Sequence, residues 1–201
     1  DVKYIKDNHE YLLVAKKGDP NFYHNKMTTE QNEKDQVLGT MPKMEAHLKG
    51  ALHRAISVFI FDMDGNWLLQ KRAPYKYHSA NLWTNTCCSH PYPNETSIDA
   101  ANRRLMEEMG LECELNFAFK YLYKAELDNN LIEHELDHVF IGFTNQIPLP
   151  DSEEVSEWKT ASFFDIDQDI ELYPERYTEW FKLLYKKVNL HLVLETTFRK
   201  N

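Results

Sequence analysis

The sequence predicts a protein of the α/β or α+β class, in which a β-sheet carries helices on its faces. Residues 55–62 (AISVFIFD) combine β-branched and aromatic side chains in a short run that is typical of a strand. Between residues 98 and 109, apolar side chains recur at helical spacing. An Asp-Gly pair at residues 64–65 separates two strand-like segments, which indicates an antiparallel hairpin. Strands, helices and hairpins mixed along one chain favour a sheet flanked by helices.

Size and charge narrow the classes of function. The chain has 201 residues, enough for one domain with a substantial core, and its 42% hydrophobic content argues against disorder. A formal net charge of −9 does not provide the broad basic surface that nucleic acid requires, so we expect no nucleic-acid partner. A locally basic pocket for a small phosphorylated ligand is compatible with this charge. No apolar run approaches the roughly 18 residues of a membrane span, so we expect no membrane association.

The cysteine content favours a reducing compartment. The three cysteines, an odd and small number, do not form a disulfide framework, and we predict a cytoplasmic protein. The first 19 residues lack the apolar core and the cleavage site of a signal peptide. The first residue is Asp, which leaves a longer gene product open. A monomer is the expected oligomeric state.

The N-terminal part of the chain has the weakest pattern. Residues 1–45 are polar and poorly periodic, with a predicted strand at residues 11–15 and a loop or frayed end at residues 25–36. The pattern then sharpens into a strand at residues 55–62, a tight turn, and a strand at residues 67–72. A loop leads to a further short strand at residues 82–88.

The second half of the chain alternates helices and strands. Thr96 and Asp99 have the form of a capping box, and Gly110 is expected to end the helix that follows. Strands are predicted at residues 117–127 and 132–143 around a turn at residues 128–130, and again at residues 157–165. Residues 174–188 form a predicted amphipathic helix with a proline near its start.

Two adjacent cysteines lie two residues before a histidine in the segment NTCCSHP, residues 85–91. Four interpretations are open: half a zinc site, a redox pair, a buried apolar stretch, or a reactive thiol beside a metal. A zinc finger is disfavoured, because Cys87 and Cys88 are adjacent rather than in a C-x-x-C pair, and the sequence has no second pair.

Three acids share one face of the strand predicted at residues 132–143. Alternation places Glu133, Glu135 and Asp137 on that face, with neighbouring acids about 6–7 Å apart. A solvated edge would explain them, but the same face continues as Val139 and Ile141, which is a core pattern. Acids that run into an apolar face need a partner, and a metal ion would provide one.

Three histidines could complete such a metal site. His47, His53 and His90 are candidates, although a single histidine is more often structural or exposed than a ligand. Mixed nitrogen and oxygen ligands suit Mn, Mg, Fe or Zn rather than a soft metal.

A charged group lies on the helix that begins after Thr96. Arg104 and Glu108 are four residues apart and share a face, which is ordinary for a charged helix surface. A cluster of acids there can also hold Mg²⁺ and bridge it to phosphate oxygens. Arg72 and Lys76 could add cationic contacts to the phosphates.

These motifs resemble a known superfamily. Residues 95–111 are similar to the Nudix box, G-x5-E-x7-R-E-U-x-E-E-x-G-U, with two departures: Ser89 in place of the glycine and Arg104 in place of a glutamate. In Nudix hydrolases that glutamate helps to bind metal. Together with HLKGALHRAISVFIF, LLQKRA, WTNTCCSHP, RRLMEEMG and EHE, the departures resemble the type I isopentenyl-diphosphate isomerases. The likeness runs over residues 43–188.

The resemblance implies a fold, a reaction and a domain plan. It implies a Nudix-like mixed sheet flanked by helices on both faces over residues 43–188, preceded by an N-terminal extension at residues 1–42 and followed by a tail at residues 189–201. The implied reaction interconverts isopentenyl diphosphate and dimethylallyl diphosphate through a tertiary carbocation, in isoprenoid biosynthesis. Protonation and deprotonation on opposite faces of the substrate would carry it.

The resemblance also implies roles for individual residues. The catalytic residues would be Cys88, Glu135, Tyr123 and Trp180, and the substrate-binding residues would be Lys43, Arg72, Lys76 and Arg104. A divalent metal, Mn²⁺, Mg²⁺ or Zn²⁺, would be bound by His47, His53, His90, Glu133 and Glu135, and a Mg²⁺ that bridges to the diphosphate by Glu108.

Strand alternation then separates the two cysteines. Cys87 is expected to point into the core and Cys88 into the pocket, on the side of His90. Two other functions stay in consideration. One is a Nudix diphosphate hydrolase, against which Arg104 argues, and the other is a non-catalytic module that binds metal or phosphate.

Overall fold

The structure is a computed structural model that describes residues 4–7, 10–13 and 26–198. The strands are β1 Tyr4–Asp7, β2 Glu10–Leu13, β3 Met27–Gln31, β4 Val37–Pro42, β5 His53–Phe61, β6 Trp67–Arg72, β7 Trp83–Thr84, β8 Cys87–Ser89, β9 Leu115–Glu126, β10 Ile132–Phe143 and β11 Val155–Ala161. The helices are α1 Lys43–Lys49, α2 Ser97–Met109, α3 Phe163–Leu172 and α4 Glu179–Phe198, with short 3₁₀ turns at Asp128–Asn130 and Pro174–Arg176.

The main sheet is mixed. Its path runs β11-β6-β5-β10-β9, and β3, β4, β7 and β8 pair at its margins, while β1 and β2 form a separate antiparallel pair. Only β5 and β10 run parallel among the strand pairs of the described residues; the others are antiparallel. β5 is buried along nearly its whole length, which explains its almost unbroken apolar sequence.

Two apolar layers cover the sheet. One contains Phe59 and Val139 and packs against α3 and α4 through residues such as Phe181. The other contains Ile56 and packs against α2 through residues such as Leu105. Helices therefore lie on both faces of a mixed sheet, which confirms the predicted fold class.

The helix α2 begins and ends where the sequence predicted. The Thr96 hydroxyl accepts a hydrogen bond from the Asp99 backbone N–H at 3.2 Å. Gly110 ends the helix at φ 63°, and a Cβ there would lie 2.8 Å from the Leu149 carbonyl oxygen, so only glycine fits without movement. Among the helices of the described residues, none combines the length and the apolar character needed to cross a bilayer.

The prediction of a loop at residues 25–36 was wrong. Its first part is the strand Met27–Gln31, which pairs with β4 and meets β5 at His53. Thr28, Thr29 and Gln31 are buried despite their polar side chains, so tertiary pairing outweighs the composition. Of the strand predicted at residues 11–15, the described part lies in Glu10–Leu13, and residues 14–15 lie outside the described residues.

Two predicted boundaries near the C-terminus were also wrong. The strand predicted to reach residue 165 ends at Ala161, because Ser162 caps a helix by accepting from the Asp165 backbone N–H at 3.2 Å. The helix predicted at residues 174–188 starts at Glu179 and continues to Phe198, after a 3₁₀ turn at Pro174–Arg176. The domain boundaries at residues 43 and 188 stay predictions, although β3 and β4 pair within the main sheet.

The single strand predicted at residues 82–88 is two short strands. β7 pairs with β6, and β8 pairs with β5. The chain therefore crosses from β6 to β5 at residues 85–86. Side chains bond the main chain at this crossing: Asn85 Nδ2 donates to the Val58 carbonyl at 3.1 Å, and Thr86 Oγ1 donates to the Leu68 carbonyl at 2.7 Å. These bonds replace the ladder that a continuous strand would make.

Candidate active site

Three predicted site residues lie in one row across the sheet. Glu135 on β10 is opposite Tyr123 on β9 and beside His53 on β5. Residues at the same register on adjacent strands project from the same face, so the row places their side chains together. The Tyr123 hydroxyl donates to Glu135 Oε2 at 2.7 Å and lies 3.1 Å from Glu133 Oε2.

Three histidines converge on Glu135. His90 Nε2 lies 2.9 Å from Glu135 Oε1, and the Nε2 atoms of His53 and His47 lie 3.4 and 3.8 Å from the same oxygen. The Nε2 atoms of His53 and His90 are 3.0 Å apart. His47, His53, His90 and Glu135 each offer a ligand atom within 4.8 Å of the others, so this group could hold a metal ion.

The tautomers of two of these histidines fit a cation. His47 Nδ1 lies 2.8 Å from the Lys43 carbonyl, and His53 Nδ1 lies 2.8 Å from the Ala51 carbonyl. Because a carbonyl only accepts, each Nδ1 carries a proton, which leaves Nε2 as the nitrogen that could bind a metal ion. The Nε2 atoms of His47 and His53 and a carboxylate oxygen of Glu135 therefore face one another, and the buried His47 Nε2 is without a hydrogen-bond partner. A divalent cation would satisfy all of them.

Glu133 lies apart from that group of four. Glu133 is buried. It forms a separate group with His47 and His78, in which each residue offers one ligand atom and these three atoms lie within 4.8 Å of one another. The structure thus brings four of the five predicted metal ligands together and sets the fifth beside a histidine that the sequence did not single out.

The two glutamates of β10 differ in proton affinity. Burial raises the pKa of Glu133 well above its usual range, and the charge of Glu135 adds to that shift. Burial alone would also raise the pKa of Glu135, but the nearby His90 and a hydrogen bond with His53 hold that pKa well below its usual range. Glu133 therefore binds a proton more readily than Glu135 does.

The two cysteines face opposite sides of the sheet, as predicted. Cys87 is fully buried in the layer under α2, whereas Cys88 lines the cleft together with Ser57, its partner on β5. His90 lines the same cleft. Burial raises the pKa of the Cys88 thiol to about 12, although Arg72 acts in the opposite direction. Cys88 is therefore a protonated thiol at neutral pH.

The ring of Trp180 forms part of the cleft lining together with Cys88. Trp180 on α4 is buried, and its indole N–H donates to Asn85 Oδ1 at 3.0 Å. The Arg72 guanidinium lies 5.1 Å from the centre of the Trp180 ring, and its Nη1 is 4.0 Å from Cys88 Sγ. Arg72 also donates to the carbonyls of His78 and Ser79, at 3.1 and 3.0 Å, which fixes the loop before β7.

Several cations line the cleft. Lys43, Lys76 and Arg104 line it with Lys26, which the sequence reasoning missed. Burial lowers the pKa of Lys43 to about 7, and the charges of Lys26 and Lys76 act in the same direction. Buried Glu154 pairs with Lys76 and lies 3.4 Å from Arg104 Nη2. A ligand with several negative charges would match this excess of cations.

Glu108 is engaged with its neighbours. Its Oε1 accepts from Arg104 Nη2 at 2.5 Å and from Arg104 Nε at 3.1 Å, and its Oε2 accepts from Gln70 at 2.8 Å. A role as a Mg²⁺ ligand therefore requires the pair with Arg104 to separate, and that role stays a prediction.

The cleft has about 800 Å³ of open space, which includes solvent at its mouth. Besides Lys26, the sequence reasoning missed Tyr77, His78 and Glu154 in its lining. Tyr77 and His78 adjoin Lys76 in a loop just before the cysteine motif, so an aromatic and a histidine at that place were an available signal. Glu154 follows a polar run that carries no such signal.

Comparison with known proteins defines the class first. The NUDIX domain family model matches residues 51–184. A crystal structure from Deinococcus radiodurans superposes with a TM-score of 0.69 at 14% identity, over 81% of this chain and 98% of the other. A MutT protein from Methanosarcina mazei gives 0.57 at 15% identity, over 69% and 93%. These two structures share the fold, and the matched model makes this a Nudix-domain protein.

Sequence relatives then specify the family. The chain is 50% identical to a protein named isopentenyl-diphosphate Delta-isomerase from Pectobacterium atrosepticum, over 78% of this chain and 88% of the relative. It is 48% identical to isopentenyl-diphosphate Delta-isomerase 2 from Aromatoleum aromaticum, over 78% and 83%. The chain belongs to the isopentenyl-diphosphate Delta-isomerase family, which confirms the resemblance seen in its motifs.

Proposed function

We propose that this chain interconverts isopentenyl diphosphate and dimethylallyl diphosphate in isoprenoid biosynthesis. One proton is added to a carbon of the double bond and another is removed two carbons away, so the charge of the substrate does not change overall. The reaction needs an acid and a base at the same time, on opposite faces of the substrate.

Cys88 and Glu135 are the proposed acid–base pair. The proposal rests on the difference between their protonation states. Both line one cleft, and burial keeps Cys88 protonated while Glu135 is ionised. Cys88 is opposite Ser57 on β5 and Glu135 is beside His53 on the same strand, and both Ser57 and His53 project from the cleft side, so the two groups approach the cleft from different strands. Because the reaction is reversible, the acid of one direction is the base of the other.

Tyr123 and Trp180 support this pair. The Tyr123 hydroxyl donates to Glu135, which orients the carboxylate and lies on a path for its proton. The face of the Trp180 ring can stabilise the tertiary carbocation, because aromatic faces attract cations. The Asn85 side chain fixes the indole in that position.

The diphosphate is the proposed anchor of the substrate and does not react. Lys43, Arg72, Lys76 and Arg104 would bind its oxygens, and Arg is suited to bidentate contacts with phosphate. A Mg²⁺ bound with the diphosphate at Glu108 is part of the proposal. The diphosphate would compete with Glu154 for Lys76 and Arg104.

A divalent metal fits the converging histidines. His47, His53, His90 and Glu135 would bind it together with Glu133, and Mn²⁺, Mg²⁺ or Zn²⁺ would suit this set of nitrogen and oxygen ligands. When bound, it would supply positive charge that orients Glu135 and lowers its proton affinity. The cytoplasm as compartment and the monomer as oligomeric state stay predictions.

The test is turnover in D₂O. The chain, supplied with Mg²⁺ and isopentenyl diphosphate, is expected to form dimethylallyl diphosphate and to incorporate deuterium into it. Cys88→Ala and Glu135→Gln are expected to abolish both, while circular dichroism and thermal unfolding show an intact fold. Wild-type turnover in either variant would refute the assignment of that residue.

Two controls separate the alternatives. His134→Ala changes a side chain that bonds to Gly50 on the opposite face of β10 and should leave turnover unchanged. Release of phosphate from nucleoside diphosphate derivatives, without isomerisation, would favour a Nudix hydrolase instead. Metal binding without deuterium exchange would favour a non-catalytic module.

A further inference from the structure

Lys26 is a cation of the cleft to which the proposed reaction gives no role. It lines the cleft and comes directly before β3. The hairpin of β3 and β4, residues 27–42, precedes residues 51–184, which the NUDIX family model matches. Lys26 therefore reaches the cleft through the pairing of this hairpin with the main sheet, rather than through the Nudix box.

Strand pairing brings Lys26 opposite Lys43. Met27 is opposite Pro42 at the end of the antiparallel pair β3 and β4, and one step further the Lys43 N–H donates to the Lys26 carbonyl at 2.6 Å. Side chains opposite each other in an antiparallel pair lie close together, and both lysines line the cleft. Like charges in this arrangement are unfavourable, so the pair favours an anion bound beside it.

The charges around the two lysines differ along the cleft. Burial lowers the pKa of Lys26, the charge of Arg104 acts in the same direction, and the charge of Glu107 acts against it. Arg104 and Glu107 both belong to α2. Burial lowers the pKa of Lys43 to about 7, and Glu135 on β10 is among the charges that act on this lysine. Lys26 therefore lies toward α2, whereas Lys43 lies nearer to the reacting groups.

We propose that Lys26 binds the terminal phosphate of the substrate and thereby distinguishes a diphosphate from a monophosphate. This inference deepens the proposed function and rests on it, because the isoprenoid part of the ligand would lie near Cys88 and Glu135. The terminal phosphate is the part of the ligand farthest from those two groups. It extends toward α2, where Lys26 adds a charge that a shorter monophosphate does not reach.

Binding of inorganic pyrophosphate to the full chain tests this role without turnover. Calorimetry in the presence of Mg²⁺ gives the Kd. Lys26→Met removes the ammonium group and keeps an unbranched side chain. This variant is expected to bind pyrophosphate at least about 10-fold more weakly than the wild type, the loss expected for one charge-assisted hydrogen bond. Lys26→Arg keeps the charge and should bind pyrophosphate nearly as the wild type does.

The matched control is Lys34→Met in the turn of the same hairpin. Lys34 is exposed, and its backbone N–H donates to Asn32 Oδ1 at 3.0 Å. The control removes the same charge from the chain, so a general effect of net charge or of the hairpin would appear in it too. Its Kd for pyrophosphate should equal that of the wild type.

Turnover and a shorter ligand locate the contact. Lys26→Met should raise the KM for isopentenyl diphosphate with little change in kcat, because the diphosphate does not react and keeps its contacts in the transition state. Isopentenyl monophosphate, measured as a competitive inhibitor, should bind equally well to the wild type and to Lys26→Met. The preference of the protein for the diphosphate over the monophosphate should therefore shrink in this variant.

Equal affinity of the wild type and Lys26→Met for pyrophosphate would overturn the inference, as would an equal loss in Lys34→Met. Equal losses for isopentenyl monophosphate and isopentenyl diphosphate would overturn the assignment to the terminal phosphate. Thermal unfolding checks the fold of each variant, and Lys26→Gln replaces Lys26→Met if the latter unfolds. A wild type that binds pyrophosphate without turnover would refute the proposed reaction, whereas normal turnover with unchanged binding in Lys26→Met would refute only the role of Lys26.

Discussion

Replacing each of the two adjacent cysteines by serine is expected to separate stability from chemistry. Both changes swap a sulfur for an oxygen in a side chain of nearly the same shape. Cys87 is 0% exposed and lies in the layer formed by Ile56, Val58 and Leu105, while Cys88 lines the cleft. The same substitution therefore meets two different environments one residue apart.

In the core, the cost arises from an unpaired hydroxyl. Cys87 packs within a cluster of apolar side chains, so a serine hydroxyl there loses its hydrogen bonds to water. A buried polar group left unsatisfied costs about 1–3 kcal/mol. In a chain of this size each kcal/mol lowers the melting temperature by roughly 2–4 °C, so Cys87→Ser should lower it by roughly 2–12 °C. Turnover should stay near the wild-type value at temperatures where the variant is folded.

In the cleft, the cost falls on the reaction. A serine hydroxyl is a much weaker acid than a thiol, and loss of a general acid or base typically costs about 10²–10⁴-fold in rate. Cys88→Ser is therefore expected to reduce turnover by roughly 100-fold or more. Its melting temperature should change less than that of Cys87→Ser, because its surroundings include polar groups such as Arg72.

Thermal unfolding by circular dichroism and deuterium incorporation into dimethylallyl diphosphate measure the two effects on the same preparations. The reasoning fails if the folded Cys87→Ser chain loses turnover as Cys88→Ser does. It also fails if Cys88→Ser is the less stable of the two.

Three further predictions concern charge and metal. Lys43, with a pKa of about 7, should regain its proton when a diphosphate binds, so binding at pH 8 should take up protons in calorimetry across different buffers, and Lys43→Met should abolish that uptake. Burial alone would raise the pKa of Asp35, but hydrogen bonds from Lys120 and Arg54 hold it below 3.8. Asp35→Asn should therefore cost about 1 kcal/mol of unfolding free energy at pH 7, and the difference from wild type should shrink as the pH falls through that lowered pKa. A metal at 100 times its Kd adds about 2.7 kcal/mol, so a chelator should lower the melting temperature of the wild type by roughly 5–10 °C but leave His47→Ala unchanged.

Local signals in the sequence were sufficient for much of the fold. The capping box at Thr96 and the glycine at residue 110 bracket a helix because they satisfy the orphan groups at its two ends. Alternation along β8 and β10 was sufficient to place Cys88 and Glu135 toward the cleft, because strand neighbours face opposite sides. Each of these features depends on residues that are close together in the chain, so it can be predicted from the sequence alone.

Contacts between distant segments could not be predicted. The polar strand β3 forms because it pairs with β4 and β5, and its own composition favours a loop. Asn85 and Thr86 interrupt the strand predicted at residues 82–88 because they bond carbonyls of β5 and β6. His78 joins His47 and Glu133 only through the path of a loop that no periodicity describes.

One substitution in the Nudix box can change the reaction that the shared fold supports. Arg104 stands where the Nudix box has a glutamate, so the local charge differs by two units, from −1 to +1. The guanidinium is buried, where it binds Glu108 and lies near Glu154. An acid at this position would add to a cluster that concentrates cations on a diphosphate, whereas a guanidinium would bind the diphosphate by charge and leaves one carboxylate fewer in that cluster. In the proposed reaction the diphosphate would then serve as an anchor, and the isoprenoid part of the ligand would lie near Cys88 and Glu135.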